Sequence, residues 1–128
     1  MFQPYMRNGQ PDSLEYVEVT TDETVALGEA LVLSSGKLTK CGATTKPTYI
    51  AMGSVTSAPA GTKIPALRVS KEVIFETQLS VASASIAKGA SYTLSSDGMK
   101  ITATTSSGVA EVVGWEGKAA GDKVFVRF

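Results

Sequence analysis

The chain has no histidine and a single cysteine. Lacking histidine, it lacks the commonest general base and the commonest metal ligand. One thiol without an imidazole also fails every zinc spacing. Cys41 cannot close an internal disulfide, which suits a reducing compartment. No apolar run approaches the ~20 residues that span a bilayer. The opening "MFQPYMRNGQ" has no apolar segment of the signal-peptide kind. Both absences point to a protein made in the cytoplasm. Charge of one sign is missing too: 12 basic residues balance 12 acidic ones. Bulk electrostatic capture of nucleic acid or of an anionic membrane needs an excess of bases, so neither is expected as a partner.

The residues that could do chemistry are few and badly placed for it. Asp22 and Glu23 are adjacent, and neighbours on a strand point to opposite faces, so they cannot flank one substrate unless a loop bends them. Glu72 and Glu76 read as the solvent-facing ends of a strand. No aspartate cluster resembles a calcium loop. "GATTK" (42–46) ends in lysine but lacks the second glycine of a phosphate-binding loop. Cys41, beside Gly42, has no histidine to activate it and reads as a thiol near a turn. The expectation is a non-enzymatic protein without cofactor or metal.

What the chain has is β pattern. Val, Ile and Thr dominate from residue 14 onward, Gly and Pro punctuate, and strand-sized runs recur every 8–12 residues. Only "VASASIAKGA" offers one or two turns of helical period. The length suits one domain that buries about two-thirds of its unfolded surface.

The pattern is also written twice. "VALGEALVLSSG" (25–36) matches "IAKGASYTLSSDG" (86–98), and "KLT" (37–39) matches "KIT" (100–102). "YIAMG" (49–53) corresponds to "AEVVG" (110–114), and "APAGTKIPAL" (58–67) to "KAAGDKVFVR" (118–127). "LEYVEVT" (14–20) finds its counterpart in "VIFETQ" (73–78). The second hairpin turn is two residues longer, which conserves side-chain parity, so Leu38 and Ile101 keep the same face. Two repeats are too few for a solenoid. They predict an all-β, single-domain β-barrel or β-sandwich built from two β-halves, about 14–70 and 71–128, each covering the other's apolar face. Leu31, Leu33 and Leu38 are expected to build the core against Tyr92, Leu94 and Ile101.

Residues 1–13, "MFQPYMRNGQPDS", show no apolar period and are expected to form an extended N-terminal arm outside the β domain of 14–128. Phe2, Tyr5 and Met6 are costly to leave wet in a tail. Two readings stay open for them: an arm that docks on a partner, or a frayed terminus. Trp115, between two glycines in "VVGWEGKAAG", suits a packing or interface anchor. Charge is segregated along the chain. Residues 1–29 hold one base and six acids, whereas 30–71 hold six bases and no acid. That is either a solvated surface or a pair of complementary patches meeting between subunits.

The phrase order "V-x-x-G-x-x-L-x-L-x-x-G-K-L-T-K", then "I-A-M-G", then "A-G-T-K-I-P-A-L" resembles small tailed-phage capsid decoration (cement, head-stabilising) proteins. The second half repeats it as "K-G-A-S-Y-T-L", "V-V-G-W" and "A-G-D-K-V-F-V", so the likeness covers about 14–128. It implies a β-tulip-like module on the outer surface of a bacteriophage head. Such a module binds the major capsid protein as a homo-oligomer, with a trimer favoured, and stabilises the shell in the virion. By that likeness Phe2, Tyr5 and Met6 of the arm would contact the capsid, and Arg7 and Trp115 join them as candidates for the capsid or subunit interface. Another virion component, such as a head-tail or tail-tube protein, shares this composition. A small ligand- or carbohydrate-binding β-module would need a cluster of exposed aromatics, which the scattered Tyr, Phe and Trp do not supply.

Overall fold

The computed structural model describes residues 1–7 and 14–128, with the backbone alone at Met6 and Arg7. It is all-β among these residues. The strands are Gln3–Arg7 (β1), Glu15–Glu18 (β2), Ala30–Ser34 (β3), Lys37–Lys40 (β4) and Tyr49–Ala51 (β5). They continue with Lys63–Arg68 (β6), Val73–Gln78 (β7), Ser91–Tyr92 (β8), Ala110–Trp115 (β9) and Lys123–Arg127 (β10). "VASASIAKGA" folds as turns that bury Ile86 rather than as a helix.

Two five-stranded antiparallel sheets result, ordered β2-β6-β5-β3-β4 and β1-β7-β10-β9-β8. Each holds one repeat. β2, β6, β5 and β3 of the N-sheet correspond to β7, β10, β9 and β8 of the C-sheet, and Ile101, bridged to Leu94, stands where β4 stands. The equivalence extends to single hydrogen bonds. Gly28 N–H donates to the Ala51 carbonyl at 2.8 Å, and Gly89 N–H to that of Val112 at 2.8 Å. Thr20 N–H meets the Leu38 carbonyl at 2.9 Å, and Ser80 N–H that of Ile101 at 2.8 Å. In each repeat a single parallel bridge, Val19 to Leu38 or Leu79 to Ile101, ties the residue after the first strand (β2 or β7) back to the hairpin, with β1 lying outside this on the C-sheet. Neither is a closed barrel; the architecture is sandwich-like.

Alternation along the strands sends neighbouring side chains into two different cores. Val19, Val25, Leu31, Leu38, Tyr49, Ala51, Ala58, Ile64 and Ala66 fill a small core inside the N-sheet. The opposite face of that sheet contributes Ala30, Ile50 and Leu67 to the main core, which otherwise draws on the C-repeat together with Phe2 and Cys41. The N-sheet is therefore covered on both faces. The C-sheet is covered on one.

Three expectations change. Residues 3–7 are not an arm outside the β domain; they form β1, an edge strand paired antiparallel with β7. Residues 8–13 of the expected arm lie outside the described residues. Phe2 is 0% exposed and belongs to the main core. Finally, Leu31 and Leu38 pack in one core while Tyr92, Leu94 and Ile101 pack in the other, and Leu33, near the hairpin tip, is 42% exposed.

Candidate interaction surface

The N-terminal strand is placed by its first residues. Phe2 N–H donates to the Gly28 carbonyl (2.9 Å), and its ring meets Phe128 edge-on at 5.5 Å between centroids. Phe128 in turn lies 5.8 Å from Phe75. Phe2 thus ties the N-repeat turn at Gly28 to the aromatic end of the C-repeat. Buried inside its own chain, it is not a partner contact.

Tyr5 has the opposite fate. Register along β1 runs Gln3 to Glu76, Pro4 to Phe75, Met6 to Ile74 and Arg7 to Val73, with a shift between Pro4 and Met6. Tyr5 is the extra residue of that bulge, a device that re-aims a side chain. Its ring lies on Phe125, 4.5 Å between centroids, and Tyr5 remains 55% exposed. Around this aromatic pair are two ion pairs: Lys123 Nζ to Glu76 Oε1 at 3.4 Å, and the two-pronged Arg127–Glu111 bridge at 2.9 and 3.1 Å. Gln3 Nε2 donates to Glu76 Oε1 (3.0 Å). A shallow depression lined by Met1, Gln3, Glu76, Thr77, Gln78 and Lys123 adjoins it. Bulge and proline also blunt the free edge of β1 against strand addition.

Of the remaining expected residues, Met6 and Arg7 contribute their backbone to β1, and their side chains lie outside the described residues. Trp115 pairs with Val124, whose side chain is buried, while Phe125 pairs with Gly114. Trp115 therefore leans on the main core, on the opposite side of the C-sheet from Tyr5. Phe2, Tyr5 and Trp115 do not form one face.

A second exposed aromatic was missed. β2 turns Val17 and Val19 inward and leaves Tyr16 69% exposed beside Pro65, with Leu14 also exposed. The alternation in "LEYVEVT" contains this answer, but either Tyr16 or Val17 fits an apolar face until β6 fixes the register.

The segregated charges meet inside the chain. Arg68 grips Glu15 with two hydrogen bonds (3.0 and 2.9 Å), and Tyr49 Oη donates to Glu15 Oε1 (3.0 Å). The Arg68 guanidinium sits 4.9 Å from the Tyr49 ring centroid. Lys37 Nζ reaches Glu18 at 2.9 Å, and the Thr39 hydroxyl donates to Glu23. Glu15 and Glu18 of the acidic stretch are thus paired within the chain by β6 and β4 and need no second subunit. Their arginine and lysine partners hold the carboxyls of Glu15 and Glu18 below the ordinary range.

Cys41 is buried, its thiol donating to the Thr45 carbonyl (2.9 Å), and burial pushes its pKa up to about 11. That is the reverse of what a nucleophilic thiol needs. Among the described residues, no group of three or more His, Cys, Asp and Glu could hold a metal ion, and no helix is long and apolar enough to cross a membrane.

No family model matches the chain, and neither a curated protein nor a solved structure matches it.

Proposed function

We propose that this chain is a non-enzymatic structural module that docks on the outer surface of an assembled bacteriophage capsid and stabilises it. One observation carries the reading: Tyr5 is held outward on Phe125 by a bulged edge strand, with ion pairs at its margin. An apolar aromatic centre with a charged rim is the anatomy of a protein-binding patch, and tyrosine is among the residues that dominate binding energy. The strand-and-turn phrasing shared with decoration proteins supports the same reading and names the major capsid protein as partner. A ligand that binds only the assembled shell stabilises it by mass action. A homo-oligomer, with a trimer favoured, multiplies weak contacts by avidity. The anchor is Tyr5 rather than Phe2, and Arg7 follows it in the same strand.

The test is co-sedimentation with assembled heads that lack the protein. Tyr5→Ser should reduce occupancy at least tenfold at limiting concentration while leaving the unfolding free energy within about 1 kcal/mol of the parent, because the residue is more than half exposed. Full occupancy by the variant would remove Tyr5 as the anchor. Absence of binding by the parent protein would reject the reading itself.

A further inference from the structure

The two repeats are stacked head to tail. Ala30, Ile50 and Leu67 leave the outer face of the N-sheet and enter the core of the C-repeat, alongside Phe75, Phe128 and Phe2. A contact between two different faces of one kind of module is heterologous and closes only where its rotation completes a ring. It leaves one face of each type unused at the ends of the stack, and such contacts can propagate into open chains.

The repeat correspondence identifies both unused faces. On the C-sheet, Ser91, Glu111 and Arg127 stand where the N-sheet has Ala30, Ile50 and Leu67. Ile50 pairs with Leu67 across β5 and β6, just as Glu111 pairs with Arg127 across β9 and β10. At the other end, Glu15 and Arg68 of the N-repeat stand where the C-repeat has Phe75 and Phe128, and Tyr49 replaces Ala110. Apolar pairs at the internal junction are replaced at both ends by an arginine gripping a glutamate with two hydrogen bonds.

We infer that these two ion-paired faces terminate the stack, and that the partner they exclude is a second copy of this chain. Docking one end on the other would take two carboxylates and two guanidiniums out of water, a desolvation cost their mutual attraction does not reliably offset. Replacement of the end residues by their counterparts at the internal junction should therefore create a specific head-to-tail contact. The inference shares the Arg127–Glu111 pair with the rim of the Tyr5 patch, but its test reads association between copies with no capsid present, so the two readings fail separately.

Two variants test it. E111I/R127L gives the C-sheet the residues of the covered N-sheet, and E15F/R68F gives the N-repeat the aromatic end of the C-repeat. By sedimentation velocity each alone should keep the parent's mass. An equimolar mixture should form a complex of their summed mass. The quadruple variant E15F/R68F/E111I/R127L should form chains that lengthen with concentration. Circular dichroism and cooperative urea unfolding verify that each variant folds. If a bulky set fails to fold, the near-isosteric neutral sets E111Q/R127M and E15Q/R68M carry the same mixing test. Two results overturn the inference: folded variants that stay apart when mixed, or a double variant that self-associates alone as strongly as the mixture does.

Discussion

Substitution of Phe2 by alanine separates a structural N-terminus from a peripheral one. Phe2 is fully buried, its ring packs on Phe128, and its amide is bonded to Gly28 in the other repeat. Truncating a buried phenylalanine costs about 3–5 kcal/mol, combining lost transfer energy with the cavity left behind. Against a total stability of about 5–15 kcal/mol for a domain, that is a large share. At about 4 °C per kcal/mol the melting temperature should fall by roughly 10–20 °C. The urea midpoint should drop by about 2 M for a slope near 2 kcal/mol/M. Tyr5→Ala, three residues further along in β1, supplies the control. Tyr5 loses a half-exposed aromatic contact worth about 1 kcal/mol. Urea unfolding of the two variants beside the parent measures both. Should Phe2→Ala lose no more than Tyr5→Ala, the integration of β1 into the fold is refuted, and residues 1–7 revert to an appendage.

Two further outcomes follow from the geometry. Gly28 and Gly89 are equivalent turn residues at φ +80° and +85°, but a Cβ at Gly28 would lie 1.9 Å from Met1 Cγ and 2.8 Å from the Phe2 carbonyl oxygen, whereas Gly89 faces open space. Gly89→Ala should cost about 1–2 kcal/mol from the left-handed backbone alone, and Gly28→Ala at least twice that, both read by thermal unfolding; equal losses would count against the Met1–Gly28 contact. Glu29 is buried, accepts a hydrogen bond from Ala26 N–H (2.8 Å), and has its carboxyl pKa raised by burial, with Lys40 opposing this and Glu23 and Asp97 adding to it. A raised folded-state pKa means that stability is present in full below the unfolded value and is lost as pH rises through the folded one. Glu29→Gln should therefore gain on the parent at neutral pH and lose that advantage near pH 4; urea midpoints whose difference does not change with pH would contradict this.

The duplication made most of the fold legible. Matching glycines and apolar positions at a spacing near 60 residues located the strand pairs, and a two-residue insertion kept Ile101 in phase with Leu38. The same alignment holds the asymmetry between the halves, because Ile50 and Leu67 face Glu111 and Arg127 across it. Apolar residues mark the covered sheet and charged ones the bare sheet. The N-terminal strand is hidden in the sequence for a physical reason. Pro4 and the bulge at Tyr5 break the two-residue alternation that announces a strand, so an edge strand looked like loop. The expectation for Leu33 failed because alternation assigns a face but not where the covering sheet ends. Tyr5 and Phe125 are 120 positions apart, and only the order β1-β7-β10 brings them together.

The unequal division of the two cores also sets an order of events for a chain made from its N-terminus. The small core of Val19 to Ala66 draws only on residues that precede Leu67, so it can condense while the second repeat is still being synthesised. Phe2, Ile50 and Leu67 have no such option, since most of the core they share, from Val73 to Phe128, follows them in the chain. During that interval the finished N-repeat presents a ready apolar platform on which the second repeat assembles. Phe2, which precedes the whole first repeat, is among the last residues to be buried.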